Sequence, residues 1–565
     1  MIKTFCVFEG GGAKGVAHAG VLKAIEEINE FKVQGYAGTS AGAIVAALAA
    51  SGWSADELFE KGADKKISSK AFSRLSCRDV SSLADILSGD WKRLERFVRS
   101  FRALKNPRSI QARRAKLYFA FAAFLFFWPL IYPLASFGIA KLEVALPKFG
   151  SLISIVFYAI VAPVSWVGYF GGLLLILAVI YYLFFKFRGV SDLRHAVEAL
   201  DELLSEKITP MKGNRVSFLD IKEQKNCDLK IVAANIRTGV MKLFDATSTP
   251  DVPVSDAVAA SAAIPIVFRP ISIGGSQYCD GGLVSNLPAW TFDRERLVDD
   301  ECVVITSELS DQIEAIDDSL NTPQPVTKAG FELLERIART AVFGASGLNT
   351  RGLHHHISLK LDADIGVLEL DNTEKHAAII ENARITASGR LKDYIDELKS
   401  LKFAYEAAER LLIDKGVPKG TLRAGLVREV KLVDSECAAY QLWHSQGFDE
   451  HFDDRVLLPV NESLVGGAVL DKRCVSLDLT IEQNRDKFYH LNTVFFRRKF
   501  VPSDRDWVVV IPLNREDVGT SGFPPDHISI AVTFDGSTLA KLSVDELMTD
   551  LRGIVDANTI FTPYS

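Results

Sequence analysis

The chain has 565 residues, 48% hydrophobic and 24% charged, enough for two or three globular units and incompatible with a disordered protein. Its net charge of −6 supplies no overall basic field, which argues against nucleic acid as a main partner. Its seven cysteines are odd in number and never form a C-x-x-C pair, so a disulfide framework and a zinc ribbon are both disfavoured and a reducing compartment fits best.

No signal-peptide pattern precedes the first predicted strand, residues 4–8. Glu9 then gives way to Gly10-Gly11-Gly12-Ala13-Lys14-Gly15, followed by apolar residues Val21, Leu22, Ile25 and Ile28 at helical spacing. A glycine loop opening a helix leaves several N–H groups free beside the positive end of the helix dipole, so it binds an anion. Val16 and Ala17 after Gly15 rule out a Walker A loop. The formal Gly10-x-Gly12-x-x-Gly15 fingerprint lacks the acidic residue that dinucleotide binding expects about 20 residues on. An oxyanion hole, with Lys14 adding positive charge nearby, is the third reading.

The next predicted strand, residues 33–37, ends in Gly38-Thr39-Ser40-Ala41-Gly42, and a small-residue helix follows to residue 51. This is the sequence form of a nucleophile elbow, where a serine sits on a tight strand-to-helix turn flanked by glycines. Two consecutive strand–turn–helix units imply a parallel α/β sheet, with the glycine loop and Ser40 at one edge.

Residues 117–140 and 149–185 then carry no charge, with Lys141, Glu143 and Lys148 between them. About 20 apolar residues cross a bilayer as a helix, so spans are expected near residues 117–140 and 164–186. If the parts on either side build one site, the crossings must be even, hence two. Arg108, Arg113, Arg114 and Lys116 before the runs, and Lys186 and Arg188 after them, would put both flanking parts in the cytoplasm. A re-entrant hairpin is the alternative.

Strands are predicted over residues 229–234 and 240–244, then a small-residue helix from Val254 to the break at Pro265. A hairpin around Gly274-Gly275 delivers Asp280-Gly281-Gly282, a carboxylate at a strand end. Here the sequence resembles the patatin-like phospholipases, α/β acyl hydrolases related to plant patatins. The resemblance rests on the glycine loop, the Ser40 elbow, the block Ala260-Ser261-Ala262-Ala263-Ile264-Pro265, and Asp280-Gly281-Gly282. It implies a Ser40–Asp280 dyad without a catalytic histidine and an oxyanion hole at Gly11, Gly12 and Ala13. Gly10, Lys14, Gly15, Gly38, Gly42, Gly281 and Gly282 would support these residues. The hydrophobic insertion departs from the soluble members. A triad using His354, His355 or His356 is the other mechanism, since α/β hydrolases run Ser, acid, His. His18 reads as a packed residue near the site.

A strand over residues 301–306, helices over 329–343 and 373–398, strands over 507–512 and 528–534 and a helix capped by Ser543 complete the chain. Arg497, Arg498 and Lys499 form a short basic run within a region that no motif identifies.

The expected architecture is α/β: a patatin-like three-layer fold with a mostly parallel central sheet, interrupted by a membrane hairpin and followed by a C-terminal α+β extension. Residues 1–110 and 190–400 form the two halves of the hydrolase, 111–189 the insertion and 401–565 the extension. The expected activity is serine acyl hydrolysis of membrane lipids at the bilayer, with no metal or cofactor and no nucleic acid. The alternative is a membrane-anchored scaffold that binds lipid or nucleotide without turnover.

Overall fold

The computed structural model describes residues 1–58, 191–299, 302–310, 355–363, 373–431, 438–448, 457–460, 463–485, 505–514, 529–538 and 543–558, apart from isolated positions, with shorter pieces such as 147–156. The main sheet is built from β1 (Ile2–Phe8), β2 (Phe31–Gly38), β3 (Asp228–Asn235), β4 (Met241–Phe244), β5 (Ile271–Ile273), β6 (Ser276–Cys279), β7 (Val303–Ser310) and β8 (His356–Asp362). Its order is β8-β7-β1-β2-β3-β6-β5, with β4 also paired to β3. The pairings from β8 to β3 are parallel, while β4, β5 and β6 run antiparallel.

The two-residue period of β1 divides its side chains between layers. Cys6 and Phe8 join the core beneath α1 (Ala17–Glu27) and α2 (Ala41–Ser51). Phe5 and Val7 face the opposite way, against Leu287, Ala289 and Phe292. The Phe5 and Phe292 rings stack with centroids 4.3 Å apart. Fully burying a side chain of this size contributes about 1.5–3 kcal/mol. The alanines of α2 let it lie close over the sheet: Ala43, Ala46 and Ala47 are fully buried.

A second sheet is wholly antiparallel, with β9 (Leu422–Lys431), β10 (Ala438–Gln446), β11 (Leu457–Pro459), β12 (Val475–Asp478), β13 (Trp507–Pro512) and β14 (Ser529–Gly536) in the order β11-β10-β9-β14-β13-β12. The helix expected to end near residue 398 instead runs from Thr373 to Asp414 and is named α3. Nothing in residues 399–414 breaks a helix, and the chain turns only at Gly416 and Pro418. Its length makes α3 a shared wall. Ile379, Ala383 and Ala387 lie in one core cluster with α1 residues, and Leu401, Ala404 and Ala408 share that cluster with Leu422, Leu426 and Trp507 of the second sheet. Leu547, Leu551 and Val555, one stripe of the helix Val544–Asp556, close the same core. Ser543 occupies that helix's N-cap position but makes no side-chain capping bond.

The two expected membrane spans fall almost entirely outside the described residues, as do the 329–343 helix and Arg497–Lys499. Among the described residues, no helix is long and apolar enough to cross a membrane. The helix Pro147–Val156, at the start of the second uncharged run, has 10 residues, half of what a crossing requires.

Candidate active site

Ser40 stands between the end of β2 and the start of α2 with φ 53 and ψ −121, a conformation that few side chains other than glycine adopt. Its neighbours explain the flanking glycines. A Cβ on Gly38 would lie 2.3 Å from the Gly42 carbonyl oxygen, and one on Gly42 would lie 2.3 Å from that of Phe8. The strained turn therefore requires two bare backbones packed against each other and against β1.

The hydroxyl of Ser40 donates to Asp280 Oδ2 at 2.8 Å. Asp280 follows β6, and its other oxygen accepts the Gly282 N–H at 2.7 Å. Both residues are buried, at 5% and 4% exposure. Burial pushes the Asp280 carboxyl up to about 6, while the Gly282 N–H and the Ser40 hydroxyl pull the other way. The Ser40 N–H donates to Ser261 Oγ at 2.9 Å, and Ser261 in turn donates to the Val232 carbonyl at 2.6 Å. Ser261, the last residue of the helix Val254–Ser261, thus pins the elbow to β3.

The glycine loop follows β1 and tightens into a 3-10 turn, Gly12–Val16, before α1. Among the described residues, the N–H groups of Gly11, Gly12 and Ala13 donate to no acceptor. The loop lies against the elbow: a Cβ on Gly10 would be 3.2 Å from Ser40 Cβ, and one on Gly15 would be 2.6 Å from Ala41 Cβ. Lys14 is buried within it. Free backbone donors at a helix start, beside a serine that shares its proton with a carboxylate, suit attack on an ester carbonyl.

The histidines lie elsewhere. His18 is fully buried, with Nδ1 at 2.7 Å from Ser307 Oγ and Nε2 at 2.8 Å from the Glu9 carbonyl oxygen. Burial lowers its pKa to about 4. His356 opens β8, and its Nε2 is 2.7 Å from Thr306 Oγ1. In a parallel sheet, a strand start and the elbow occupy opposite edges, which separates His356 from Ser40. His355 precedes it, and His354 lies outside the described residues. No group of three or more His, Cys, Asp or Glu side chains among the described residues is arranged to hold a metal ion.

Sequence reasoning missed Ser261, Glu9 and Asn286. Ser261 lay in a recognised block, yet its target is the Ser40 backbone and became visible only when the helix docked. Glu9 and Asn286 are isolated polar residues beside recognised motifs, and their pairing joins two distant loops.

A mainly parallel α/β sheet that carries a serine on such an elbow belongs to the class of α/β acyl hydrolases. Within that class the chain belongs to the patatin-like phospholipase family, a family of lipid acyl hydrolases. The model of that family matches residues 6–293, a stretch that includes the glycine loop, Ser40 and Asp280. Over 52 residues the chain is 52% identical to the uncharacterized protein YqhO of Bacillus subtilis (strain 168), which covers 9% of this chain and 18% of that protein. Among solved structures, VipD from Legionella pneumophila is similar with a TM-score of 0.31 and 18% identity, over 69% of this chain and 67% of that one. ExoU from the type III secretion system of Pseudomonas aeruginosa, solved in complex with SpcU, gives 0.27 and 17%, over 69% of this chain and 52% of that one. The chain therefore spans about half the length of the ExoU structure, and membership of the family rests on the sequence match.

Proposed function

We propose that the protein is a serine acyl hydrolase of membrane lipids in which Ser40 is the nucleophile and Asp280 its only base. The 2.8 Å hydrogen bond from Ser40 Oγ to a buried carboxylate carries this reading. Serine is a poor nucleophile until a base takes its proton, and a carboxyl raised to about 6 by burial holds that proton better than an exposed one while remaining ionised at neutral pH.

In the first half-reaction Ser40 Oγ bonds to the ester carbonyl carbon as its proton passes to Asp280. The carbonyl oxygen becomes an oxyanion, stabilised by the N–H groups of Gly11, Gly12 and Ala13. Collapse breaks the bond to the lipid alcohol, which leaves with the proton from Asp280. Water then gives a proton to Asp280 and attacks the acyl-enzyme, and collapse returns that proton to Ser40 Oγ as the fatty acid departs.

The uncharged runs at 117–140 and 149–185 support attachment of this site to a bilayer, and their basic flanks support a cytoplasmic orientation. The test is labelling by a fluorophosphonate probe, with hydrolysis of a short-chain nitrophenyl ester and of mixed phospholipid vesicles. Wild type should do all three and Ser40→Ala none. An unlabelled wild type would favour a scaffold that binds lipid without turnover. Asp280→Asn should abolish turnover while substitution of His354, His355 and His356 leaves it intact, and loss of turnover in the histidine variants as well would select the triad.

A further inference from the structure

Asn286 takes no part in the steps above, yet it is 1% exposed and grips the first glycine of the loop at both of its main-chain polar groups. The Gly10 N–H donates to the Asn286 carbonyl oxygen at 3.0 Å, and Asn286 Nδ2 donates to the Gly10 carbonyl oxygen at 3.1 Å. The same Nδ2 donates to Glu9 Oε1 at 3.0 Å, and Glu9 Oε2 accepts the Leu309 N–H at 2.6 Å. Glu9 is itself buried, so its carboxylate ties Asn286 to the end of β7.

We infer that Asn286 is a positioning residue for the oxyanion hole, acting by fixing the Gly10–Gly11 peptide plane. This deepens the serine-hydrolase reading and rests on it. In a trans peptide the C=O and the following N–H point in opposite directions, and the described backbone contains no cis bond. Capturing the Gly10 carbonyl therefore directs the Gly11 N–H away from Asn286. That N–H has no acceptor among the described residues. Glycine without this clamp would sample many orientations of the plane, and the donor would have to be ordered anew in each turnover.

A second observation points the same way. Asn286 Oδ1 is buried without a hydrogen-bond partner. Turning the amide over would satisfy nothing, because Oδ1 would then face the Glu9 carboxylate and the Gly10 carbonyl, both acceptors. The orphaned oxygen instead abuts Gly10: a Cβ there would lie 2.4 Å from it and 3.2 Å from Ser40 Cβ. A buried polar atom left unsatisfied is costly and calls for a reason. Here the reason is that one Nδ2 hydrogen is committed to the Gly10 carbonyl and the other to the Glu9 carboxylate.

The test compares wild type with Asn286→Ala on a nitrophenyl ester, with active sites counted by fluorophosphonate end-point labelling. It adds inhibition by a trifluoromethyl ketone, whose serine adduct places an oxyanion in the hole. The expected result is a fall in kcat of about 100-fold or more with KM within about twofold, and a matching loss of ketone affinity. A kcat per labelled site within threefold of wild type, or a change confined to KM or thermal stability, would overturn the inference. If Asn286→Ala does not accumulate folded, the isosteric Asn286→Asp is measured instead. It sets a carboxylate against two acceptors, and retention of full kcat and ketone affinity in that variant would equally overturn the inference. Activity surviving in Ser40→Ala would instead refute the serine-hydrolase reading itself.

Discussion

Ser40 and Asp280, 240 residues apart in sequence, are joined by a hydrogen bond of 2.8 Å inside a site that water barely reaches. The serine holds φ 53 to make it. Strain of this kind costs of order 1–3 kcal/mol and persists only where neighbours over-determine it, here Ser261, Gly38 and Gly42. The carboxylate, meanwhile, is kept from solvent at the expense of its ionised form.

The first prediction follows from that carboxylate. The base must be ionised, and burial has pushed it up to about 6, so kcat/KM should rise with pH through about 6 and level off above 7. With His18 lowered to about 4, no histidine limb is expected from it in that range. A nitrophenyl-ester profile that is flat from pH 5 to 8 would contradict the assignment.

The same shift bears on stability with a definite sign. The folded state holds the Asp280 proton more tightly than the unfolded chain does. The stabilising contribution is thus complete below about pH 4 and lost as pH rises to about 6. Asp280→Asn should therefore raise the melting temperature at pH 7.5 and leave it nearly unchanged at pH 4, with a gain of order 1–3 kcal/mol at the higher pH. Turnover should fall by about 10²–10⁴. Calorimetry at the two pH values checks the sign, and destabilisation at pH 7.5 would refute it.

Ser261→Ala removes a hydroxyl that accepts from the Ser40 N–H and donates to the Val232 carbonyl, leaving both buried. Each orphaned group costs about 1–3 kcal/mol, and the elbow loses one of its restraints. Both urea stability and kcat should fall. An unchanged kcat in a destabilised variant would show that Ser261 supports the fold without positioning the nucleophile.

On β9 of the second sheet, Arg428 lies under the shared helix with its guanidinium 3.4 Å from the Trp443 ring centroid, and its Nε and Nη1 have no partner among the described residues. Burial lowers its pKa to about 9, with Glu397 and Tyr394 opposing. Replacing a buried, poorly paired charge by an apolar chain of similar length is often neutral or stabilising by about 1–4 kcal/mol. Arg428→Met should therefore unfold at equal or higher urea concentration with esterase activity unchanged. A large loss of stability would mean that the cation is better compensated than its geometry suggests.

Much of this site was legible before any fold was known. The elbow, the glycine loop and Asp280-Gly281-Gly282 are local, because tight turns and close backbone approaches admit few residue types. Short strands such as Trp507–Pro512 were legible from their continuous apolar, β-branched run. The end of α3 was also marked in the sequence, by Gly416 and Pro418, but that its second half packs on another sheet was not, since such packing depends on distant segments.

The sequence by itself determined the family and singled out Ser40 and Asp280 as candidates, because backbone strain and bare-backbone contacts restrict residue identity at fixed spacing. The tertiary structure alone decided what Ser261, Glu9, His18 and Asn286 do. Their partners are main-chain groups or lone side chains brought from distant segments, and such hydrogen bonds leave no pattern in a sequence, since any backbone N–H or C=O can serve. The direction of the Gly11 N–H is set in this way, by an asparagine that follows Asp280 and closes on the first glycine of the loop only once β1 and β6 lie in one sheet.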